Sequence, residues 1–197
     1  MPHQKETMKR FGLFVVVGIV IFLLTGVGRA QETNSYPKSN LEIFEATTGV
    51  VLIRGTDEAG VVPGRTGSIT LKCRETREAA TNRREFGVAV IVAQGEDYED
   101  TTVVDYDELD ALIRSLDYIS KVDWAISSMG HFEAGYTTRS GLKLASYSSR
   151  RSGTIEAYAL SNRLLRSRVQ LTMAQLTQVR TFLEQAKAKI EVIQKEK

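Results

Sequence analysis

The sequence contains few of the residues on which catalysis, metal binding and covalent cross-linking depend. Its 197 residues include one cysteine, two histidines and three prolines. One cysteine excludes an intramolecular disulfide, and so few cysteines and histidines cannot supply a structural zinc site. A Ser-His-Asp triad would have to use His131, because His3 lies in a leader that we expect to be removed. No G-x-S-x-G motif is present to expose a serine nucleophile.

Motifs for nucleotides, cofactors and metals are also missing. The stretch GRTGS after Pro63 lacks the lysine and the spacing of a P-loop, and no G-x-G-x-x-G follows a predicted strand. The acidic run EDYEDTTVVDYDELD, residues 96–110, lacks the alternating acids and the glycine of an EF-hand. We interpret it as a solvated loop followed by a helix start, with a weak calcium site as the alternative. We predict no cofactor and no metal site.

The N-terminus has the pattern of a secretory signal peptide. Three basic residues precede the apolar run of residues 11–28, and Gly28 and Ala30 are small residues at the third and first positions before a cut. We predict cleavage after Ala30 and export to the periplasm or the medium, so that the mature chain begins at Gln31 without a transmembrane domain. The alternative is an uncleaved anchor formed by residues 11–28.

The mature chain is expected to hold a linker, residues 31–39, and one domain, residues 40–197. Its charge is uneven, since acidic residues exceed basic ones in residues 31–135 and the reverse holds in residues 136–197. We interpret this asymmetry as attraction between the two halves or between neighbouring copies. A basic ligand-binding face is the alternative.

Hydrophobic alternation predicts two groups of strands, each followed by an amphipathic helix. The first group is LEIFEAT, VVLIRGT, SITLKCRE, EFGVAVIVA and TTVVD, with TDEAGVVPGRTG as a loop. The second group is FEAGYTT, LKLASYS, IEAYALS and RSRVQL. The predicted fold class is α+β, with antiparallel sheets from two related ββββα units, about residues 40–121 and 131–197, and the second helix at the C-terminus.

The two helices suggest an internal repeat. At a fixed offset that carries Asp105 to Thr172, the apolar positions of VVDYDELDALIRSLDYI and VQLTMAQLTQVRTFLEQA coincide without a gap. Asp105 with Glu108, and Thr172 with Gln175, each match the spacing of a capping box. We therefore predict two helices that begin in the same way. The alternative is two unrelated amphipathic helices, because such boxes are common.

This element order, with VQLTMAQLTQVRTFLEQA as its closest approach to a motif, resembles the Whirly, PUR and p15-coactivator architecture of repeated ββββα units. The combination of YDELDALIRSLDYI with FEAGYTTRSGL is also similar to exported bacterial proteins that carry a domain of unknown function. The first resemblance implies a fold, since function does not follow from fold. The second implies export and brings no activity with it.

One group of residues is a candidate ligand site. Three tyrosines lie eleven residues apart on successive predicted strands, with arginines around them, and a basic aromatic sheet face of this kind can stack single-stranded nucleic acid or an acidic glycan. Export argues against nucleic acid, and cross-strand packing is the structural alternative. The candidate residues are Tyr136, Tyr147, Tyr158, Arg139, Arg150 and Arg151.

Two weaker candidates would support a hydrolase. Ser127 and Ser128 lie near His131 in sequence, and Cys73 is the only thiol. We interpret the serines as polar surface, His131 as facing solvent or a sheet partner, and Cys73 as a small buried residue on the apolar face of SITLKCR. The sequence thus favours a non-enzymatic exported binding or structural module of the bacterial envelope, which associates with itself or with an envelope protein. Polyanion binding is the alternative and a hydrolase the minor one.

Overall fold

The computed structural model describes residues 37–95, 98–149, 153–161 and 167–196, and the leader with its cleavage site lies outside them. Asn34–Lys197 form one compact unit. The first antiparallel sheet consists of β1 (Leu52–Pro63), β2 (Gly67–Glu78), β3 (Arg84–Gln94) and β4 (Tyr98–Asp105), in that order. The second consists of β5 (Glu133–Thr137), β6 (Leu142–Ser149), β7 (Thr154–Ser161) and β8 (Arg168–Leu171), also in order.

Three α-helices accompany the sheets in the described residues: α1 (Asn40–Glu45), α2 (Leu109–Ile119) and α3 (Met173–Lys195). Short 3-10 turns at Tyr106–Glu108 and Trp124–Ile126 flank α2. The predicted α+β class with two ββββα units is confirmed. None of the helices in the described ranges combines the length and the apolar character needed to cross a membrane.

The first half differs from its prediction in three places. In the acidic run, residues 98–100 were expected to lie in a solvated loop but belong to β4, where Asp100 is 3 % exposed and accepts the Ser161 hydroxyl at 2.7 Å. LEIFEAT was expected to be a strand and is helix α1, whose start is fixed by a capping box between Ser39 and Glu42. TDEAGVVPGRTG was expected to be a loop, but β1 continues to Pro63 and pairs with β2 across a bulge between Glu58 and Gly60. Most of β1 is exposed, so its sequence lacks the apolar alternation that marks a half-buried strand.

Each long helix covers the sheet of the other half. Helix α2 packs against β5 and β6, whereas α3 packs mainly against β1 and β2, and the two helices touch each other. The Ser146 hydroxyl on β6 donates to the Ile119 carbonyl at the end of α2. On the other side, the Sγ atom of Cys73 on β2 lies 3.7 Å from the carbonyl oxygen of Ala186 on α3. One hydrophobic core therefore runs through both sheets and both helices.

The two long helices do not begin in the same way. At α3 the predicted capping box is confirmed, since Thr172 and Gln175 each bond the other's backbone amide. At α2 the predicted box of Asp105 and Glu108 is wrong. A 3-10 turn precedes the helix there, and the Asp105 side chain caps no amide of α2.

Asp105 instead holds the start of α1. Its carboxylate, 3 % exposed, accepts the backbone N–H groups of Asn40 at 2.8 Å and Leu41 at 3.0 Å. These are orphan donors at the positive end of a helix, which a carboxylate satisfies well. Leu41 and Phe44 then bury the outer face of the first sheet.

We expect Asp105→Ala to lower the free energy of unfolding by about 2 kcal/mol, because it leaves two buried amides of α1 without a charged acceptor. Asp107→Ala is the matched control, since Asp107 is largely exposed and, among the described residues, pairs only with Arg139, and it should change stability by less than about 1 kcal/mol. Urea unfolding followed by circular dichroism measures both values. Equal effects of the two substitutions would contradict this role for Asp105.

Candidate functional site

The register of the second sheet separates the three candidate tyrosines. Tyr158 pairs with Ala145, which lies two residues before Tyr147 on β6 and therefore on the same face. Tyr136 pairs with Leu144 and lies on the opposite, inner face. The ring centroids of Tyr147 and Tyr158 are 5.8 Å apart. The three tyrosines therefore do not share one face, and two of them meet on the outer face of the second sheet.

Tyr158 is covered by charged side chains. It is 4 % exposed, and the Arg168 guanidinium lies 4.1 Å from its ring centre. Its hydroxyl donates to Glu133 at 3.0 Å, and Lys143 also pairs with Glu133. Burial raises the pKa of the Tyr158 hydroxyl, and Glu133 adds to this shift whereas Lys143 opposes it. The ring face that a stacked base or sugar would need is thus already occupied by Arg168.

Tyr147 belongs to a second polar group on the same outer face. The Glu156 carboxylate accepts hydrogen bonds from the Tyr147 hydroxyl and from Arg65, each at 2.8 Å. The bond from Tyr147, together with the one from Arg65, lowers the pKa of Glu156. Arg65 also donates to the Gln170 side chain at 3.0 Å. This group therefore attaches the turn between β1 and β2 to the second sheet.

Arg139 joins the second half to the start of α2. Its guanidinium pairs with Asp107, lies 3.4 Å from Asp105 and 3.6 Å from Glu108, and its backbone N–H donates to Glu108 at 2.9 Å. The candidate ligand-binding arginine thus already has three carboxylates around it. The two acids predicted as a capping box form this contact, which sequence spacing alone could not reveal.

The remaining candidate arginines, Arg150 and Arg151, lie outside the described residues. The uneven charge of the two halves is largely bridged within the chain, because acids of the first half pair with bases of the second. Besides those of Arg139, these pairs include Asp57 with Lys189, Asp110 with Lys187, Asp117 with Arg180 and Glu133 with Lys143. The asymmetry therefore has an intramolecular explanation.

His131 lies in a different setting from the one a triad requires. Its Nδ1 atom is 3.4 Å from the Ser148 hydroxyl, and the hydrogen-bond partner is thus neither Ser127 nor Ser128. Ser148 is 7 % exposed and accepts the backbone N–H of Phe132 at 3.0 Å. Within the described ranges no carboxylate forms an ion pair with His131. The chemistry of a Ser-His-Asp triad is therefore not assembled here.

Cys73 lies on the apolar face of β2, as predicted, and is 4 % exposed. It borders a cavity of about 190 Å³ together with Phe86 and Ile190. Burial raises the pKa of the Cys73 thiol, although nearby Lys189 opposes the shift. Because the thiolate is the reactive form, this environment disfavours a nucleophile.

The two edges of the second sheet differ in how their backbone groups are satisfied. At β8, Arg65 donates its backbone N–H to the Gln170 carbonyl at 2.9 Å, and Thr66 Oγ1 accepts the Gln170 N–H at 3.0 Å. The Arg168 N–H donates to the Gln94 side chain, and its carbonyl accepts the Thr66 hydroxyl. The first sheet therefore closes this edge.

At β5 the opposite edge is open. The Phe132 carbonyl accepts the Ser148 N–H at 3.1 Å, and the Thr138 N–H donates to the Leu142 carbonyl at 2.8 Å. Both partners lie on β6. Backbone groups alternate along an antiparallel strand, so the even-numbered residues of β5 bond β6 and the odd-numbered ones point away. In the described part of the chain no strand pairs with that side. The outward backbone groups belong to Glu133, Gly135 and Thr137.

A groove of about 560 Å³ lies between this edge and helix α2. We call it the α2–β5 groove. Its lining is small or apolar apart from Arg114, an exposed side chain for which the described residues supply no ion-pair partner. Tyr118 on its rim is 61 % exposed. The other lining residues are Ala111, Ser115, Ile119, Ala134, Gly135 and the candidate Tyr136, whose hydroxyl donates to Glu108 at 3.4 Å.

Exposed apolar side chains also lie in the connection between α2 and β5. Trp124, Ile126 and Met129 are 49 %, 45 % and 74 % exposed. The Trp124 ring meets Phe132, just before β5, edge to face at 5.9 Å. The sequence signal for these exposed residues is three large apolar side chains, Trp124, Ile126 and Met129, within a polar connection.

We expect the Cys73 thiol to be almost unreactive in the native state. Iodoacetamide should label it only through opening of the structure, so that the labelling rate rises steeply with urea. Mass spectrometry of the intact protein follows the reaction. Rapid labelling in buffer, at a rate close to that of free cysteine, would contradict the buried environment.

We expect Glu156 to contribute to stability only above its titration range. Its folded-state pKa is lowered from 4.5, so the contribution is present at neutral pH and is lost as pH falls through the lower value. Glu156→Gln should remove about 0.5–1 kcal/mol at pH 7 and make stability between pH 5 and pH 3 less dependent on pH, as for a partly exposed ion pair. Urea unfolding at each pH tests this, and an unchanged pH profile would contradict it.

Comparisons with protein families, with curated proteins and with solved structures gave no match for this chain. No activity can therefore be carried over from a relative. The geometry of the outer face, of the two sheet edges and of the α2–β5 groove is the basis for a functional proposal.

Proposed function

We propose that this chain is a non-enzymatic, exported binding module of the bacterial envelope, and that it binds a partner protein through the α2–β5 groove. The observation that carries the proposal is the juxtaposition of an apolar groove with an open strand edge. Exposed apolar patches bordered by polar surface are typical of interaction sites. Export is part of the proposal on account of the leader sequence, residues 11–30.

The candidate chemistries outside the groove support a binding role over catalysis. Cys73 is buried, and His131 contacts a buried serine and has no acid partner within the described ranges. A general base and a nucleophile need mutual contact and access to substrate. These residues offer neither arrangement, so binding is the simpler function.

The groove also has more support than the polyanion alternative. Tyr158 is covered by Arg168, and Arg139 is surrounded by carboxylates. A polyanion would have to displace these contacts before it could stack or pair. Self-association through opposite charges has less support for a similar reason, because the acidic and basic halves pair within one chain.

The proposal is tested by site-specific photocross-linking in cells that export the protein. A benzoylphenylalanine residue in place of Tyr118, on the rim of the groove, should give a discrete cross-linked product with another protein. Tyr98 is the matched control position, since it is 55 % exposed but lies on β4, away from the groove. Mass spectrometry identifies the product, and cell fractionation with N-terminal sequencing should give an exported chain that begins at Gln31.

Two results would contradict the proposal. Equal yields of cross-linked product at positions 118 and 98 would indicate random collisions. Absence of the protein from the exported fraction would contradict the proposed location in the bacterial envelope.

A further inference from the structure

The α2–β5 groove borders the one edge of the second sheet that the described residues leave unpaired. The outward N–H and C=O groups of Glu133, Gly135 and Thr137 are spaced as in any antiparallel edge strand. An extended segment can add to such an edge, with backbone hydrogen bonds supplying affinity and alternate side chains supplying specificity. The fold thus provides the backbone half of a peptide-binding site.

Gly135 lies at the centre of this edge. A Cβ atom at this position would come within 2.9 Å of the Ala145 Cβ atom on the neighbouring strand, so glycine fits the packing of the sheet. Its missing side chain also lets another backbone approach closely, a recognised use of glycine within strands. Both effects favour glycine here, and the second leaves the middle of the edge accessible.

The groove beside the edge determines which side chains an added strand would carry. Side chains of a strand alternate, so every second residue of the added segment would point into the groove. There they would meet the apolar surfaces of Ala111, Tyr118 and Ile119. The remaining residues would point to the outer face and solvent.

The positive charge of the groove favours extended segments that carry an acidic residue. Among the described residues, Arg114 is the one charged residue in the lining, and no carboxylate pairs with it. A guanidinium in this position matches a carboxylate, with which it forms strong hydrogen bonds. An acidic side chain two residues from an apolar one would satisfy both parts of the groove.

A second copy of this chain fits the groove less well. Its own β5 segment offers one carboxylate, Glu133, which already bonds Lys143 and Tyr158. The grooves of two copies would also carry the same positive charge. Charge complementarity therefore favours a different protein over self-pairing.

Resting on the proposed function, we infer that the α2–β5 groove binds an extended, partly acidic segment of a partner protein, which adds to β5 as a fifth antiparallel or parallel strand. The carboxylate of that segment pairs with Arg114. Apolar side chains at alternate positions fill the groove.

The inference is tested with a phage-displayed library of random heptapeptides, panned against the protein comprising residues 31–197. We expect recovered peptides to place an aspartate or glutamate two positions from a large apolar residue. Hydrogen exchange should then show that the amides of Glu133, Gly135 and Thr137 exchange quickly in the free protein and slowly with a recovered peptide.

Thr137→Pro tests the backbone contact directly. Proline removes the outward N–H of Thr137 but no hydrogen bond to β6, and edge strands accept proline at such positions. We expect peptide affinity, measured by fluorescence anisotropy, to fall by about tenfold, the effect of one lost hydrogen bond in a binding site. Thr137→Val, which keeps the N–H, is the matched control and should bind within about twofold of the parent protein.

Arg114→Glu tests the charge. This substitution should lower the affinity for acidic peptides by about tenfold or more, since it replaces attraction with repulsion. Arg77→Glu is its control, because Arg77 is an exposed arginine on β2 and lies outside the groove lining. Circular dichroism confirms that each variant is folded before binding is measured.

Three outcomes would overturn the inference. The first is peptides that bind equally well to the Thr137→Pro and Thr137→Val variants. The second is β5 amides that are protected without peptide and in proportion to protein concentration, which would assign the edge to a second copy. The third is a library without any binding peptide. A cross-link at Tyr118 that persists in Thr137→Pro would leave the proposed binding function intact and reject strand addition alone.

Discussion

The hydrogen bonds between the β1–β2 turn and strand β8 join the two sheets, and the rest of the arrangement depends on them. They satisfy the outward backbone groups of β8 and bring the turn against the second sheet. Gly64 makes this approach possible, because a Cβ atom there would lie 2.4 Å from the Val169 side chain and 2.7 Å from the Gln170 carbonyl oxygen. One sheet edge is thus closed by the protein itself, and the direction in which the second sheet can grow is left to β5.

Each long helix packs on the sheet of the other half, and this arrangement brings together charges that are unevenly distributed along the sequence. Since α2 covers the second sheet and α3 the first, neither half could bury its apolar face alone. The same arrangement brings basic residues of α3 next to acidic residues of α2 and β1. The repeat offset that carries Asp105 to Thr172 preserves which residues face inward on β4 and β8. The two caps nevertheless differ, because Asp105 accepts the first amides of α1 whereas Thr172 caps its own helix.

Elements with clear periodicity could be predicted from the sequence, whereas contacts between residues far apart in the chain could not. All four strands of the second sheet and both long helices follow from alternation and helical spacing. Helix α1 was missed although its capping residues, Ser39 and Glu42, are visible in the sequence, because a short apolar run fits either type of element. The three tyrosines do not form one aromatic face, for a different reason. Equal spacing along the chain does not fix the face, since the register across each turn decides which side chains are neighbours. Tyr136 and Tyr147 therefore lie on opposite faces.

The contrast between the edges of one sheet is the strongest argument that β5 has a role in binding. An exposed strand edge promotes aggregation, and proteins commonly cover it or place charges and prolines along it. This chain covers β8 with a turn, two side chains and a glycine contact, yet at β5 it places Gly135, an apolar groove and an arginine without an ion-pair partner among the described residues. Trp124, Ile126 and Met129, in the connection that precedes β5, are also exposed. An open edge and an apolar groove side by side on one surface are explained if another chain covers them.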